Sequence, residues 1–397
     1  MSTVVRLLAP RRPAAVRTGQ RLRVVVVTES FLPQVNGVTN SVRRVLEHLQ
    51  AEGHEAVVVA PSGPAEYAGA PVHLVRSLAM PTYRDFPVGV ARRGHLRQLL
   101  ADLAPDVVHL ASPAWLGHQA GEAARSLGIP VVAVYQTDLV GFAERYPFPG
   151  AAAAMRTLTR WVHGPADRTL VPSTASLQQL QGLGIERLHR WGRGVDTTLF
   201  APHRRTEQLR RELGLEGGRG PLLVGYVGRL AAEKELDLLA GVQAMPGVRL
   251  VVVGGGPEEA RLRRLLPGAS FLGVRHGEDL ARIVASLDVF VHTGSTETFC
   301  QSAQEALASG VPVVAPRAGG PVDLVRHAGN GFLFAPGDAH ALAGHVAALC
   351  GDPLLRRRLA AAARPSVRHR SWAAVNAELV AHYRAVTGVV AQVPHSA

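Results

Sequence analysis

Cysteine is almost missing from this chain of 397 residues. The two that occur, Cys300 and Cys350, stand far apart. They exclude a disulfide scaffold and any cysteine-rich zinc module, so a reducing cytoplasm is the default expectation. Long apolar runs are missing too. No stretch of about 18 residues lacks both charge and turn formers, so no membrane-spanning helix is expected. Aromatic residues reach only 5%. The basic residues are scattered without aromatic interleaving, which argues against a nucleic-acid partner. Lysine is the scarcest charged residue: of 43 lysines and arginines, only Lys234 is a lysine. It is therefore a candidate for a fitted site that arginine could not serve. No repeat of 20–50 residues is evident.

What is present points to globular domains. Hydrophobic residues make up 47% and charged residues 19%, enough for two cores and too much for disorder. The net charge of +12 by itself suits nucleic acid, an anionic membrane surface or phosphate-bearing substrates. Residues 1–20 carry Arg and Pro without periodicity and read as a basic flexible leader. Their apolar run is too short for a secretory signal and is broken by Arg6.

From residue 21 strands and helices alternate. RVVVVT (Arg23–Thr28) is an uninterrupted β-branched run, as in a parallel strand buried on both faces. Asn40–Glu52 has helical spacing and is ended by Gly53. Further strands are expected at 56–60, 106–110, 131–135 and 168–171. The pattern starts afresh after about residue 195, with strands at 222–227, 248–253, 270–272, 289–292 and 311–315. Gly192 and Gly194 lie at the junction, where a hinge is expected. These patterns predict an α/β protein of two Rossmann-like domains facing a cleft. The expected boundaries are 21–195, 196–370, and 371–397 for a terminal helix crossing back plus a tail. In such sheets ligands bind beyond the carboxyl ends of the strands.

Three segments carry candidate chemistry. In STETFCQSAQEALASG, Glu297 lies on a loop after a strand and Glu305 inside the next helix. The backbone amides of Phe299, Cys300, Gln301 and Ser302 open that helix and attract anions. One acid could hold a ribose diol and the other a transferred sugar; alternatively both are ordinary helix acids. In GRLAAEKE, Arg229 ends a buried strand and Lys234 lies at the opening of a helix expected near residues 234–241. Two cations there could stabilise one diphosphate leaving group. In PQVNGVTNSV, Gly37 removes a side chain where a phosphate or sugar could approach. None of these is a dinucleotide fingerprint, and GGGP at 254–257 is not a P-loop.

Together these segments resemble retaining, nucleotide-sugar-dependent glycosyltransferases of the GT-B fold, family 4. STETFCQSAQEALASG looks like their E-x7-E segment and GRLAAEKE their G-R-x5-K phosphate motif. WGRGVDTTLF looks like the interdomain G-V-D-x3-F, and AGGPVDLVRHAGNGFLFAPGD their G-G-x2-D/E-x-V region. The similarity covers about residues 21–385. Within the family, HLASPAWLG, YQTDLVGFAERY and ETFCQ look most like actinobacterial GDP-mannose-dependent α-mannosyltransferases acting on lipid acceptors. Sulfoquinovosyl-diacylglycerol synthases are close cousins. Two positions depart from the pattern: Cys300 stands where many members have Gly, and Ala111 follows His109 where many have His-x-His.

The resemblance implies retaining transfer of a hexose, probed first as mannose from GDP-mannose, to a lipid or glycolipid acceptor. A UDP-sugar-dependent transferase (glucosyl, galactosyl or sulfoquinovosyl) is the alternative, and a non-catalytic nucleic-acid-binding protein the distant one. Catalytic candidates are Arg229, Lys234, Glu297 and Asp138. Donor-binding candidates are Gly37, Arg229, Lys234, Glu297, Phe299, Cys300, Gln301, Ser302 and Glu305. Glu305 would hold the ribose and Glu297 the sugar hydroxyls, with Glu297 as a covalent nucleophile in a minor variant. Asp138 would orient the acceptor hydroxyl or cap a helix. No cofactor and no metal are expected. Tyr83–Leu100, with Arg84, Arg92, Arg93 and Arg97 among apolar residues, reads as a surface helix suited to an anionic membrane. The expected location is cytoplasmic, peripheral on the inner face of the plasma membrane.

Overall fold

The computed structural model describes residues 21–34, 36–80, 83–138, 151–213 and 221–388. The expected leader and most of the expected tail lie outside them, as do residues 139–146 of YQTDLVGFAERY. Two sheets with helices on their faces make up the described chain. The first runs in the order β10-β9-β8-β7-β1-β2-β4-β3. Its strands are β1 (Arg23–Thr28), β2 (Glu55–Ala60), β3 (Glu66–Tyr67), β4 (Ala70–Leu74), β7 (Val107–Ser112), β8 (Val131–Val134), β9 (Arg168–Val171) and β10 (Leu188–Arg190). Only the β3–β4 pair is antiparallel. A hairpin, β5 (Arg76–Met80) with β6 (Tyr83–Val90), stands beside it. The second sheet is parallel throughout, in the order β13-β12-β11-β14-β15-β16. It comprises β11 (Leu222–Val227), β12 (Val248–Val253), β13 (Ser270–Gly273), β14 (Val289–Val291), β15 (Val313–Pro316) and β16 (Gly331–Phe334).

The β-branched runs account for the centres of both sheets. Val24–Val27 are buried between two helical layers, and Val251–Val253 likewise. Strand order reverses beside β1, between β2 and β7, and beside β11, between β12 and β14. A crevice opens beyond the carboxyl ends of strands at each reversal, and this places the site.

Local chemistry sets the helix that follows β1. It spans Gly37–Ala51, starting earlier than the spacing suggested, because Asn36 caps it by accepting from Thr39 N at 2.9 Å. Val42, Val45, Leu46 and Leu49 form its buried stripe. The region expected as one surface helix from Tyr83 is corrected. Residues 83–90 are β6, paired antiparallel with β5, and the helix begins only at Arg93. Pro87 and Gly89 within that run disfavour a helix, and an antiparallel partner was available. The expected helix after Lys234 is also broken into short turns, Ala232–Lys234 and Leu236–Leu239, with Glu235 between them at φ +51°.

The chain crosses between the sheets near Trp191–Phe200 and again near Ser371. The two crossings pair at Val195 and Ser371. The last helix, Trp372–Thr387, then buries Val375, Leu379, Val380 and Tyr383 in the core of the first sheet. Tyr383 meets His109 Nδ1 at 2.9 Å. Burial pushes His109 down to about 3, so it is a neutral structural side chain. No described helix is long and apolar enough to cross a membrane.

Candidate active site

A cleft of about 740 Å³ lies between the two sheets. From the first it takes the turn and helix start after β1, including Asn36, Gly37, Arg43 and Arg44. From the second it takes the segments after β11 and β14, which adjoin at the strand reversal. Arg229, Lys234, Glu297, Cys300, Gln301, Ser302 and Glu305 all line it. The sequence candidates Phe299 and Asp138 do not. Phe299 is buried in the core and offers the site only its backbone. Asp138 accepts from Tyr135 Oη at 3.0 Å and from Gln179 Nε2 at 2.8 Å.

Lys234 and Glu297 are brought together from positions far apart in sequence. Nζ lies 2.5 Å from Glu297 Oε1. His292, at the end of β14, lies 3.3 Å from the same oxygen. Burial on its own would raise the Glu297 pKa, but Lys234 and His292 overrule it and hold the carboxyl well below the usual range. Glu297 is therefore ionised at any working pH. Burial likewise favours neutral Lys234, and Glu297 more than offsets it, raising the ammonium. The loop is seated on Gly319, at φ +59°, where a Cβ would come within 2.3 Å of Glu297 O.

Glu305 has the opposite electrostatics. It lies on the second turn of helix Gln301–Ala308. Burial pushes it up to about 7, and Gln301 Nε2, 3.3 Å away, opposes this only in part. The two acids of one motif thus differ sharply in proton affinity because one has cations and the other does not. Arg229 is exposed on the cleft wall, and its side chain makes no ion pair among the described residues. It remains available to an anion, in the same cleft as the first-turn amides of helix Gln301–Ala308, which have no intrahelical partner. Cys300 caps this helix at φ +75°, a backbone region that favours glycine. Among the described residues no group of three or more His, Cys, Asp or Glu side chains is placed to hold a metal.

Sequence reasoning missed the residues that tie the halves together. Arg193, in the crossing segment, donates to Gly37 O at 3.2 Å and to Gln136 Oε1 at 2.6 Å. A Cβ at Gly37 would come within 2.7 Å of Arg193 Nη1, so the missing side chain here admits a protein guanidinium. Thr298 Oγ1 donates to Gln136 O at 3.1 Å. Asp323, in the GGPVD segment, accepts from Thr174 N and Thr174 Oγ1, both at 2.7 Å, at the start of a helix of the first sheet. Each bond joins residues distant in sequence, which no spacing argument reveals. His292 was likewise passed over, its one signal being its place at the carboxyl end of a buried strand.

Of the membrane candidates, Arg92, Arg93 and Arg97 are exposed at and within helix Arg93–Leu103. Arg93 lies 3.7 Å from Glu122 of the adjoining helix. Arg84 lies in β6, and its side chain is outside the described part.

Comparison with known proteins identifies the family and the fold. Residues 35–199 match the family model Glycosyltransferase Family 4, and 207–365 match Glycosyl transferases group 1. A GDP-mannose-dependent alpha-mannosyltransferase of Mycobacterium tuberculosis is 52% identical over 92% of this chain and 97% of its own. One of Mycolicibacterium smegmatis is 48% identical over 92% and 98%. An Anabaena protein solved in complex with UDP has the same fold, with a TM-score of 0.76 at 20% identity over 92% of this chain and all of its own. The chain therefore belongs to glycosyltransferase family 4 and is a glycosyltransferase of the GT-B fold.

Proposed function

We propose that this enzyme transfers mannose from GDP-mannose, with retention, to a lipid or lipid-linked acceptor at an anionic membrane surface. The donor reading is supported by the similarity to relatives named GDP-mannose-dependent alpha-mannosyltransferase. One observation of the site carries the chemistry: a cation-bound carboxylate, Lys234 with Glu297, beside an unpaired Arg229 at a strand reversal. Arg229, Lys234 and the helix amides at Cys300–Ser302 bind the diphosphate and stabilise the charge it gains as the glycosidic C–O bond breaks. Glu297 holds sugar hydroxyls through its second oxygen, and Glu305 accepts from the ribose diol. The acceptor oxygen bonds to the anomeric carbon on the face being vacated, and its proton passes to the departing diphosphate oxygen. Asp138 stands on the first sheet's carboxyl edge, the acceptor side. Gly37 gives the donor's phosphates close access to the start of its helix once Arg193 moves aside. The enzyme works without a metal on this reading, its cations doing the neutralising.

A donor panel tests it: GDP-mannose, UDP-glucose, UDP-galactose and UDP-sulfoquinovose, each radiolabelled, with membrane lipid extract. Label entering a lipid product from GDP-mannose, with the α-anomer retained, is expected. Preferred transfer from any UDP-sugar would replace the mannosyl reading with the glucosyl, galactosyl or sulfoquinovosyl one.

A further inference from the structure

We propose that His292 is a positioning residue for the donor sugar, fixing Glu297 through one oxygen, jointly with Lys234, so that the other is presented to the hexose. The proposal rests on the donor reading above. His292 is 2% exposed, at the end of β14, and its ring stacks on Tyr226 at 6.1 Å and 15°. Nε2 and Lys234 Nζ converge on Oε1 of Glu297, at 3.3 and 2.5 Å. Oε2 of Glu297 has no hydrogen bond among the described residues, and the side chain lines the cleft.

The histidine has no structural reason to be polar. Its Nε2 reaches only Glu297, at 3.3 Å, and Nδ1, also buried, has no hydrogen-bond partner among the described residues. Such a side chain costs free energy that a phenylalanine in the same space would not. What it adds is positive charge. Burial alone would lower its pKa, but Cys300 and Glu297 beside it raise it to about 10. The other groups facing this cluster are Lys234 and Glu233 from the turn after β11, Tyr226 from β11, and Arg193 from the crossing segment. A lysine alone leaves a carboxylate free to swing about a single contact. A second donor from a rigid strand end removes that freedom, and holding a reacting partner in one geometry is worth more in turnover than in binding.

The test uses full-length His292→Phe and His292→Gln enzymes. Wild-type turnover is measured first with the donor the panel selects. A wrong donor then shows in the wild type, and a wrong role for His292 only in the variants. Three readouts follow: affinity for the bare nucleoside diphosphate by calorimetry, kcat, and the acid limb of kcat/KM, the last read with and without each His292 change in a Glu305→Gln background, so that Glu305, which burial raises to about 7, does not set it. His292→Phe should keep nucleotide affinity within about twofold and lose about tenfold to a hundredfold in kcat, the worth of one hydrogen bond to a charged group. Its acid limb should move to higher pH, because Glu297 loses a cation that holds its proton off. His292→Gln offers an N–H donor of similar reach without charge. It should recover kcat to within about threefold while its acid limb stays displaced. An acid limb that coincides with wild type in His292→Gln overturns the proposal, even if the Phe variant does not fold. So does an equal loss of nucleotide affinity and kcat in either folded variant, which marks a merely structural residue.

Discussion

Donor binding should expel a proton from Glu305. In the empty cleft burial raises this carboxyl to about 7. A ribose diol donating to it requires the ionised form, so below pH 7 binding must first drive the proton off. One pH unit below the pKa then costs about tenfold in affinity, and two units about a hundredfold. At pH 7 about half a proton should leave for each donor bound, by the same titration. Calorimetry in two buffers of different ionisation enthalpy counts it. GDP-mannose without acceptor is the right ligand, since its diphosphate is esterified at both ends and does not titrate in this range. In Glu305→Gln the part of the pH dependence that centres near 7 should be lost, and affinity at pH 8 should fall below wild type because a charged acceptor is lost. Imidazoles that line the cleft contribute equally to both proteins, so the difference isolates Glu305. A wild-type affinity flat from pH 5 to 8, or equal proton release from the variant, would refute the ribose contact.

Lys234→Ala should lower turnover by about 10²–10³, and Lys234→Arg should not fully restore it, because the 2.5 Å contact to Oε1 suits a point charge better than a planar fork. A fully active Arg variant would end the argument from the solitary lysine. Glu29 is buried at the start of helix Trp115–Ser126, accepting from Ala114 N and Gly117 N at 3.1 Å, with Oε2 unpartnered. Burial pushes it up from 4.5 to about 7, so the folded protein keeps a proton that the unfolded chain gives up. Stability is therefore lost as pH rises between those values, by up to about 3 kcal/mol. Glu29→Gln should gain stability over wild type at pH 8 and not at pH 4.5, read as melting temperature; the same difference at both would contradict it. Replacing Arg92, Arg93 and Arg97 together by Gln should weaken binding to anionic vesicles by about 3 kcal/mol while sparing turnover on a short soluble acceptor. Unchanged flotation with such vesicles at low and at physiological salt would mean another face docks.

What could be read from the chain was whatever is local. The runs at Arg23–Thr28 and Leu222–Val227 are apolar on both faces wherever they are placed, so their burial and the parallel α/β architecture follow from them. The acids at 297 and 305 and the cations at 229 and 234 sit where strands end, and in this architecture strand ends form the site. The structure alone decided which of these groups meet. Lys234 and Glu297 share an oxygen with His292 because β11 and β14 are neighbours across a strand reversal, a pairing that no periodicity encodes. Tyr83–Val90 became a strand because β5 lay ready to pair with it, overriding an apolar spacing that looked helical. Glu297 and Glu305 are the same residue type in the same motif. Their proton affinities diverge because two cations reach one and none reaches the other, and charge in a buried cleft is settled by tertiary neighbours.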